Sequence, residues 1–226
     1  DRVLEIGPGA GALTAALRIS QVQLTTVELD REAAALLQQR WPDLILIQQD
    51  ALTVNWETVC PGSGWKVISN LPYNVAAPIL LSLLNHPQRF PQLVLMFQKE
   101  VADRIQASPG SRIAGSLSIQ VQARARIRRV LNLGPSAFRP PPKVDSTVLH
   151  FSIDENPDFG GVSGKQFDHL VRLGFSQRRK TLLNALSSGM PKEQARELCE
   201  KAGINPGLRA EVLSVADWRR LAGALQ

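Results

Sequence analysis

Arg2-Val3-Leu4-Glu5-Ile6-Gly7-Pro8-Gly9-Ala10-Gly11 stands almost at the start of the chain, and its reading decides the fold. A short apolar run with the pattern of a strand passes directly into glycines at alternate positions, and a helical pattern, Ala12 to Ile19, begins at once. Glycine lets a backbone turn tightly and lets a ligand come close to it, while the N-terminus of the helix behind the turn offers N–H groups with no partner of their own. Strand, glycine turn and helix in this order open a βαβ unit whose loop is built to hold a polar ligand.

The alternation continues outward from that stretch. Leu24 to Leu29, Leu44 to Gln48, Trp65 to Ser69 and Leu93 to Phe97 read as strands, and Arg31 to Arg40, Ala77 to Leu84, Lys99 to Gln106 and Ser116 to Arg124 as helices. This rhythm predicts a parallel sheet with helices on both faces. It then breaks. Arg126 to Leu133 and Val144 to Ile153 are strand-like runs joined by a Pro-rich loop, Pro135 to Lys143, and two strands in succession predict an antiparallel pair at one edge of the sheet. Asn156 to Gly164 is turn-rich and reads as a linker. Helical patterns follow at Gln166 to Phe175, Arg179 to Leu186, Lys192 to Lys201 and from Ser214, where Asp217 makes a capping-box pair. The expectation is an α/β domain over residues 1–155 and a small all-α domain over 156–226.

The 226 residues suffice for that arrangement, and no apolar run approaches the roughly 18 residues that span a bilayer. Cys60 and Cys199 stand far apart, without the spacing of a zinc site, and His86, His150 and His169 show no metal spacing either. A reducing compartment, no metal and no membrane are expected. Net charge is +6, of which residues 156–226 carry +4, with 11 basic residues against 7 acidic. A basic appendage suits a polyanion, and equally a soluble basic surface. The chain begins with Asp1 directly before a strand, so a preceding segment is expected in the natural protein.

Two acids stand at strand ends. Glu28 closes the second strand, where a carboxylate accepts from ribose hydroxyls, and Asp50-Ala51 follows the third, where an acid can accept from an adenine amine. The loop with Glu28 would also suit NAD. The spacing, however, is GxGxG rather than GxGxxG, and Pro8 lies inside it.

Asn70-Leu71-Pro72-Tyr73 follows the fourth strand. An adenine amine is a poor nucleophile because its lone pair is delocalised into the ring. Two acceptors beside its hydrogens favour a more tetrahedral nitrogen, and the Asn70 side-chain oxygen and the Leu71 carbonyl can serve. Pro72 stiffens the backbone and removes a competing N–H. Tyr73 offers a ring for stacking, worth roughly 1–3 kcal/mol per base. Positioning and electrostatics, rather than a strong base, would carry such a methyl transfer.

With these residues in view, the chain resembles the ribosomal RNA adenine dimethyltransferases, which dimethylate two adjacent adenosines near the 3′ end of small-subunit rRNA. The resemblance rests on Val3 to Gly11, Glu28-Leu29-Asp30, Asp50-Ala51, Asn70 to Tyr73, Met96 to Arg104, Phe138 to Ser146, Phe175 to Leu182 and Leu213-Ser214. It implies a Rossmann-like class I methyltransferase fold with S-adenosylmethionine as cofactor. It further implies that Glu5, Gly7, Gly9 and Gly11 line the methionine and ribose end, that Glu28 binds the ribose, and that Asp50, with Ala51, contacts the cofactor adenine. Asn70, also at the cofactor, Leu71, Pro72 and Tyr73 would hold the target base, with Phe138 as a second aromatic wall around an extruded adenine. The family has a Gln-x-Phe-Leu-like pattern ahead of the first strand, not seen here, and its lack is expected to weaken cofactor binding.

Arg124, Arg126 and Arg128 alternate and would share one strand face. Together with Lys143, Arg178, Arg179 and Lys180 they are the expected RNA-phosphate contacts. The implied partner is small-subunit rRNA in an immature ribosomal subunit, met by a cytoplasmic monomer. Alternatives are a large-subunit rRNA adenine methyltransferase that confers antibiotic resistance, or a non-catalytic ribosome-assembly or transcription factor on the same scaffold. An NAD-dependent oxidoreductase has no use for Asn70 to Tyr73.

Overall fold

In strand β1 (Arg2–Ile6) every residue after the first is buried. Successive strand residues point to opposite faces, so both faces of the sheet are covered at this point. The computed structural model describes residues 1–226. After β1 the order is α1 (Ala12–Ile19), β2 (Gln23–Glu28), α2 (Arg31–Arg40), β3 (Ile45–Gln48), α3 (Trp56–Val59), β4 (Lys66–Asn70), α4 (Ala76–Leu84) and β5 (Gln92–Gln98). Then come α5 (Lys99–Ile105), α6 (Ser116–Gln122), β6 (Ala125–Leu133), β7 (Ser146–Ile153), α7 (Gly164–Gly174), α8 (Leu182–Leu186), α9 (Lys192–Lys201) and α10 (Val215–Gly223).

The seven strands form one sheet in the order β3-β2-β1-β4-β5-β7-β6. The first five are mutually parallel, and β7 lies antiparallel between β5 and β6. The chain winds outward from β1 to β3 and then returns to start again at β4. The neighbours β1 and β4 therefore form the point where winding reverses, and ligands of such sheets sit beyond the carboxyl ends of the strands there. Val3, Leu17, Leu24, Leu37 and Leu44 pack α1 and α2 against β1 and β2 in one buried cluster. The expected α/β architecture with its antiparallel edge pair is present.

The division of the chain differs from the expectation. One compact unit comprises Asp1–Ala102 and Ala125–Glu155, the other Asp103–Arg124 and Asn156–Gln226. The reason is visible in α6, whose Ile119, with the following Ala123, belongs to the same core as Phe167, Leu182, Leu198 and Trp218. The turn-rich stretch after residue 155 is not a loose linker either. The Arg219 Nε donates to the Asp158 carbonyl at 2.8 Å, and a side chain at Gly160 would run into the backbone of α10.

Further corrections concern local signals. The helix expected from Arg179 starts at Leu182, because Thr181 is its N-cap and residues 175–179 form turns. The short α3 was not anticipated. Arg124 does not join the exposed face of Arg126 and Arg128. It lies just past the end of α6 and is 2% exposed. Its guanidinium pairs with Asp168 at 2.9 Å, donates to the Gln120 carbonyl at 2.9 Å and lies 4.7 Å from the Phe159 ring centroid. It is a strut of the helical unit, closed to RNA. Removing one member of a buried pair costs about 3–5 kcal/mol, so Arg124→Ala should lower the melting temperature by several degrees. Arg126→Ala and Arg128→Ala, at exposed positions, should change stability by under about 0.5 kcal/mol. Comparable melting temperatures for all three variants would contradict the assignment.

Candidate active site

The loop after β1 is held from behind. Gly7 N–H donates to the Val27 carbonyl at 2.9 Å, Gly11 N–H to the Pro8 carbonyl at 2.9 Å, and Gly9 N–H to Glu28 Oε2 at 3.0 Å. Glu28 also accepts from Asp30 N–H through Oε1, so this buried carboxylate both ends β2 and anchors the loop. Gly7, Gly9 and Gly11 all have positive φ, and at two of them a side chain would also crowd its neighbours. A Cβ on Gly11 would lie 2.7 Å from both Leu37 and Trp41, and one on Gly7 would lie 3.0 Å from the Pro72 ring. At Gly9 the same position faces open space. Gly11 caps α1 without a side-chain hydrogen bond, leaving the first N–H groups of the helix for a ligand.

Glu5 lies under the loop, 1% exposed, and accepts from the hydroxyl of the fully buried Thr14 at 2.7 Å. Burial pushes its carboxyl up to about 7, the nearby charge of Glu28 adds to the effect, and the Thr14 hydrogen bond opposes it. At the end of β3, Gln49 N–H donates to the Glu28 carbonyl at 3.0 Å, which brings Asp50 beside the same strand end. Asp50 Oδ1 accepts from Leu52 N–H at 2.9 Å, a turn-capping role, and Ala51 is buried.

At β4, the buried Ser69 hydroxyl accepts from Ile6 N–H at 2.8 Å and ties the ends of β1 and β4 together. The next residues are Asn70, exposed, and Leu71, 1% exposed. Gly7, Asn70, Leu71, Pro72, Tyr73, Phe138, Pro140 and Pro142 line a single cavity of about 310 Å³. The residues read from the tetrapeptide and the Pro-rich loop, 65 positions apart from Tyr73 to Phe138, thus meet at one place, with the glycine loop as its floor. The Tyr73 hydroxyl is 2.9 Å from the Ser146 hydroxyl. Thr14 carried no pattern in the sequence that would have marked it, and Ser69 and Ser146 stood at the ends of marked stretches with no sign of their hydrogen bonds.

The basic residues divide. Arg126, Arg128, Lys143, Arg179 and Lys180 are exposed. Arg178 is exposed too, but donates to the carbonyls of Arg112 at 2.8 Å and Ala114 at 3.2 Å, bracing that loop.

The model of the ribosomal RNA adenine dimethylase family matches residues 1–226. The chain belongs to this family. A ribosomal RNA small subunit methyltransferase A of Syntrophotalea carbinolica is 43% identical over 228 residues, covering 100% of this chain and 86% of that protein. Its counterpart in Thermosynechococcus vestitus is 41% identical over 234 residues, with 100% and 86% covered. Among solved structures, a dimethyladenosine transferase from Plasmodium falciparum superposes with a TM-score of 0.79 at 27% identity, over 98% of this chain and 88% of the other. The 23S rRNA methyltransferase ErmE shares the fold, with a TM-score of 0.68 at 23% identity over 99% of this chain and 90% of its own.

This rRNA adenine dimethyltransferase uses S-adenosylmethionine. The residues present fit that donor: an open approach at Gly9, an uncapped helix N-terminus, and acids at the ends of β2 and β3.

Two outcomes follow. Gly11→Ala, with positive φ and two clashes, should destabilise the fold by about 1–3 kcal/mol in denaturant unfolding, whereas Gly9→Ala should cost less stability than that. Glu5 has its carboxyl raised on folding from 4.5 to about 7, so its contribution to stability is full below about pH 4.5 and is lost as pH rises through about 7. Glu5→Gln keeps the acceptor for Thr14 and removes the charge. Without cofactor it should melt above the parent at pH 8, by at most about 3 kcal/mol, and the gap should close at pH 4.5. A gap independent of pH would refute this account.

Proposed function

We propose that this family member transfers methyl groups to the exocyclic amines of two adjacent adenosines near the 3′ end of small-subunit rRNA, giving N6,N6-dimethyladenosine. The cavity bounded by Asn70, Leu71, Tyr73 and Phe138 on the floor of Gly7 carries the reading. The 43% and 41% identities to enzymes named for the small subunit support the choice of RNA.

The residues work as follows. Tyr73 and Phe138 clasp an adenine swung out of the RNA. The Asn70 side-chain oxygen and the Leu71 carbonyl accept from its two amine hydrogens and turn the nitrogen lone pair toward the glycine loop. Pro72 contributes no N–H to compete. When bound, S-adenosylmethionine supplies an electrophilic methyl carbon on a sulfonium. Asn70 and Leu71 would present the amine to that carbon, and the amine proton would pass to water. Gly9, the first turn of α1, Glu28 and the free Asp50 oxygen hold the donor. Glu5 supports the loop from below. Arg126, Arg128, Lys143, Arg178, Arg179 and Lys180 meet phosphates. The enzyme acts as a cytoplasmic monomer on an immature small subunit, and no helix of the chain is long and apolar enough to cross a membrane.

Mass spectrometry of both rRNAs after incubation of ribosomal particles with enzyme and donor tests the reading. Two dimethyladenosines in small-subunit rRNA are expected, with a loss of about 10²-fold or more for Asn70→Ala. Modification of large-subunit rRNA instead would overturn it. For the phosphate contacts, Arg179→Ala with Lys180→Ala should flatten the salt dependence of RNA binding by about 0.7–0.9 log units per lost contact. An unchanged slope would remove these residues from the interface.

A further inference from the structure

Tyr73 is the single tyrosine of the chain. Stacking on a base needs only a ring, which phenylalanine also has, so the hydroxyl calls for its own explanation. It points at the Ser146 hydroxyl, 2.9 Å away. Ser146 is completely buried at the first position of β7, where it pairs with Gln98 of β5 on one side and Leu133 of β6 on the other. Just before it, the Asp145 carbonyl accepts from Lys99 N–H at 2.8 Å. Ser146 is therefore anchored by the sheet on both sides. Tyr73, in contrast, sits in the turn between β4 and α4, half-buried at the cavity wall. A side chain held only at its Cα end keeps rotameric freedom, and a ring that swings on χ1 is a poor platform.

We propose that Ser146 is a positioning residue for the target base: its hydroxyl, fixed by β5 and β6, pins the far end of the Tyr73 ring and so sets the angle at which that ring presents its face to the adenine. The hydroxyl lies on the long axis of the ring, so the bond fixes where that axis points. Ser146 also closes the connection from β6 to β7 in which Phe138 lies. The inference rests on the reading of Tyr73 as the stacking platform.

Single-turnover methylation of small-subunit particles by Tyr73→Phe, Ser146→Ala and the double variant tests it, with Tyr73→Ala as the control for the platform itself. Each single variant should lower the rate constant by about 3- to 10-fold, the effect of one neutral hydrogen bond, with the KM for S-adenosylmethionine and the melting temperature little changed. The double variant should be no slower than the slower single one, because both remove the same bond. Additive losses, unchanged rates, or an effect confined to KM would overturn the proposal. Should Ser146→Ala fail to fold, Tyr73→Phe decides alone, since it leaves the sheet intact. If Tyr73→Ala retains full rate, the platform reading itself falls. If Tyr73→Ala is inactive while Tyr73→Phe and Ser146→Ala match the parent, only the role of Ser146 falls.

Discussion

The joint between the ends of β1 and β4 governs everything built on this sheet. Ile6 N–H and the Ser69 hydroxyl close it with a buried hydrogen bond, and just beyond the two strands Gly7 lies against the Pro72 ring. Methyl transfer needs its reacting atoms about 3–3.5 Å apart and in line. Gly7 leaves β1 and Asn70 to Tyr73 leave β4, so the cavity they line is spaced by two packed strand ends. A Cβ at Gly7 would press on the Pro72 ring at 3.0 Å, which gives this glycine a reason beyond its positive φ.

The same joint explains the buried acids. Burial and the neighbouring charge of Glu28 both raise the cost of ionising Glu5. Glu28 accepts from two backbone N–H donors, and Glu5 from the Thr14 hydroxyl. A hydrophobic replacement at Glu28 would leave the loop without its anchor, and one at Glu5 would leave the buried Thr14 hydroxyl without its acceptor. Binding sites commonly carry such local conflicts, since the arrangement that recognises a ligand is seldom the one that maximises stability.

Much of this was legible in the residues. Val3 to Gly11 read correctly as strand, turn and helix because hydrophobic periodicity and glycine chemistry agree there, and α1, α2 and α9 begin and end where their spacing says. The meeting of Asn70 to Tyr73 with Phe138 was available only through the family resemblance, as no local pattern reports a contact across so many residues. Arg124 was misread because an alternation of arginines continues across a helix-to-strand boundary, and periodicity cannot say on which side of it a residue lies. Arg179 was placed in a helix because apolar spacing outweighed the capping signal of Thr181. Thr14, Ser69 and Ser146 are isolated small polar residues, whose hydrogen bonds depend on strand order. That order places β7 between β5 and β6, a choice set by sheet packing and invisible in any window of sequence.

That strand order also bears on the newborn chain. β6 precedes β7 in the chain, so it has no strand neighbour to pair with until β7 follows. Phe138 lies in the connection between those two strands. Phe138 is therefore held at both ends of its connection only when the sheet is complete, and residues 103–124, which come before it in the chain, belong to the other unit. Until β7 pairs, nothing in the sheet fixes the far end of the connection that carries Phe138, so the cavity that Gly7 and Tyr73 begin is closed last.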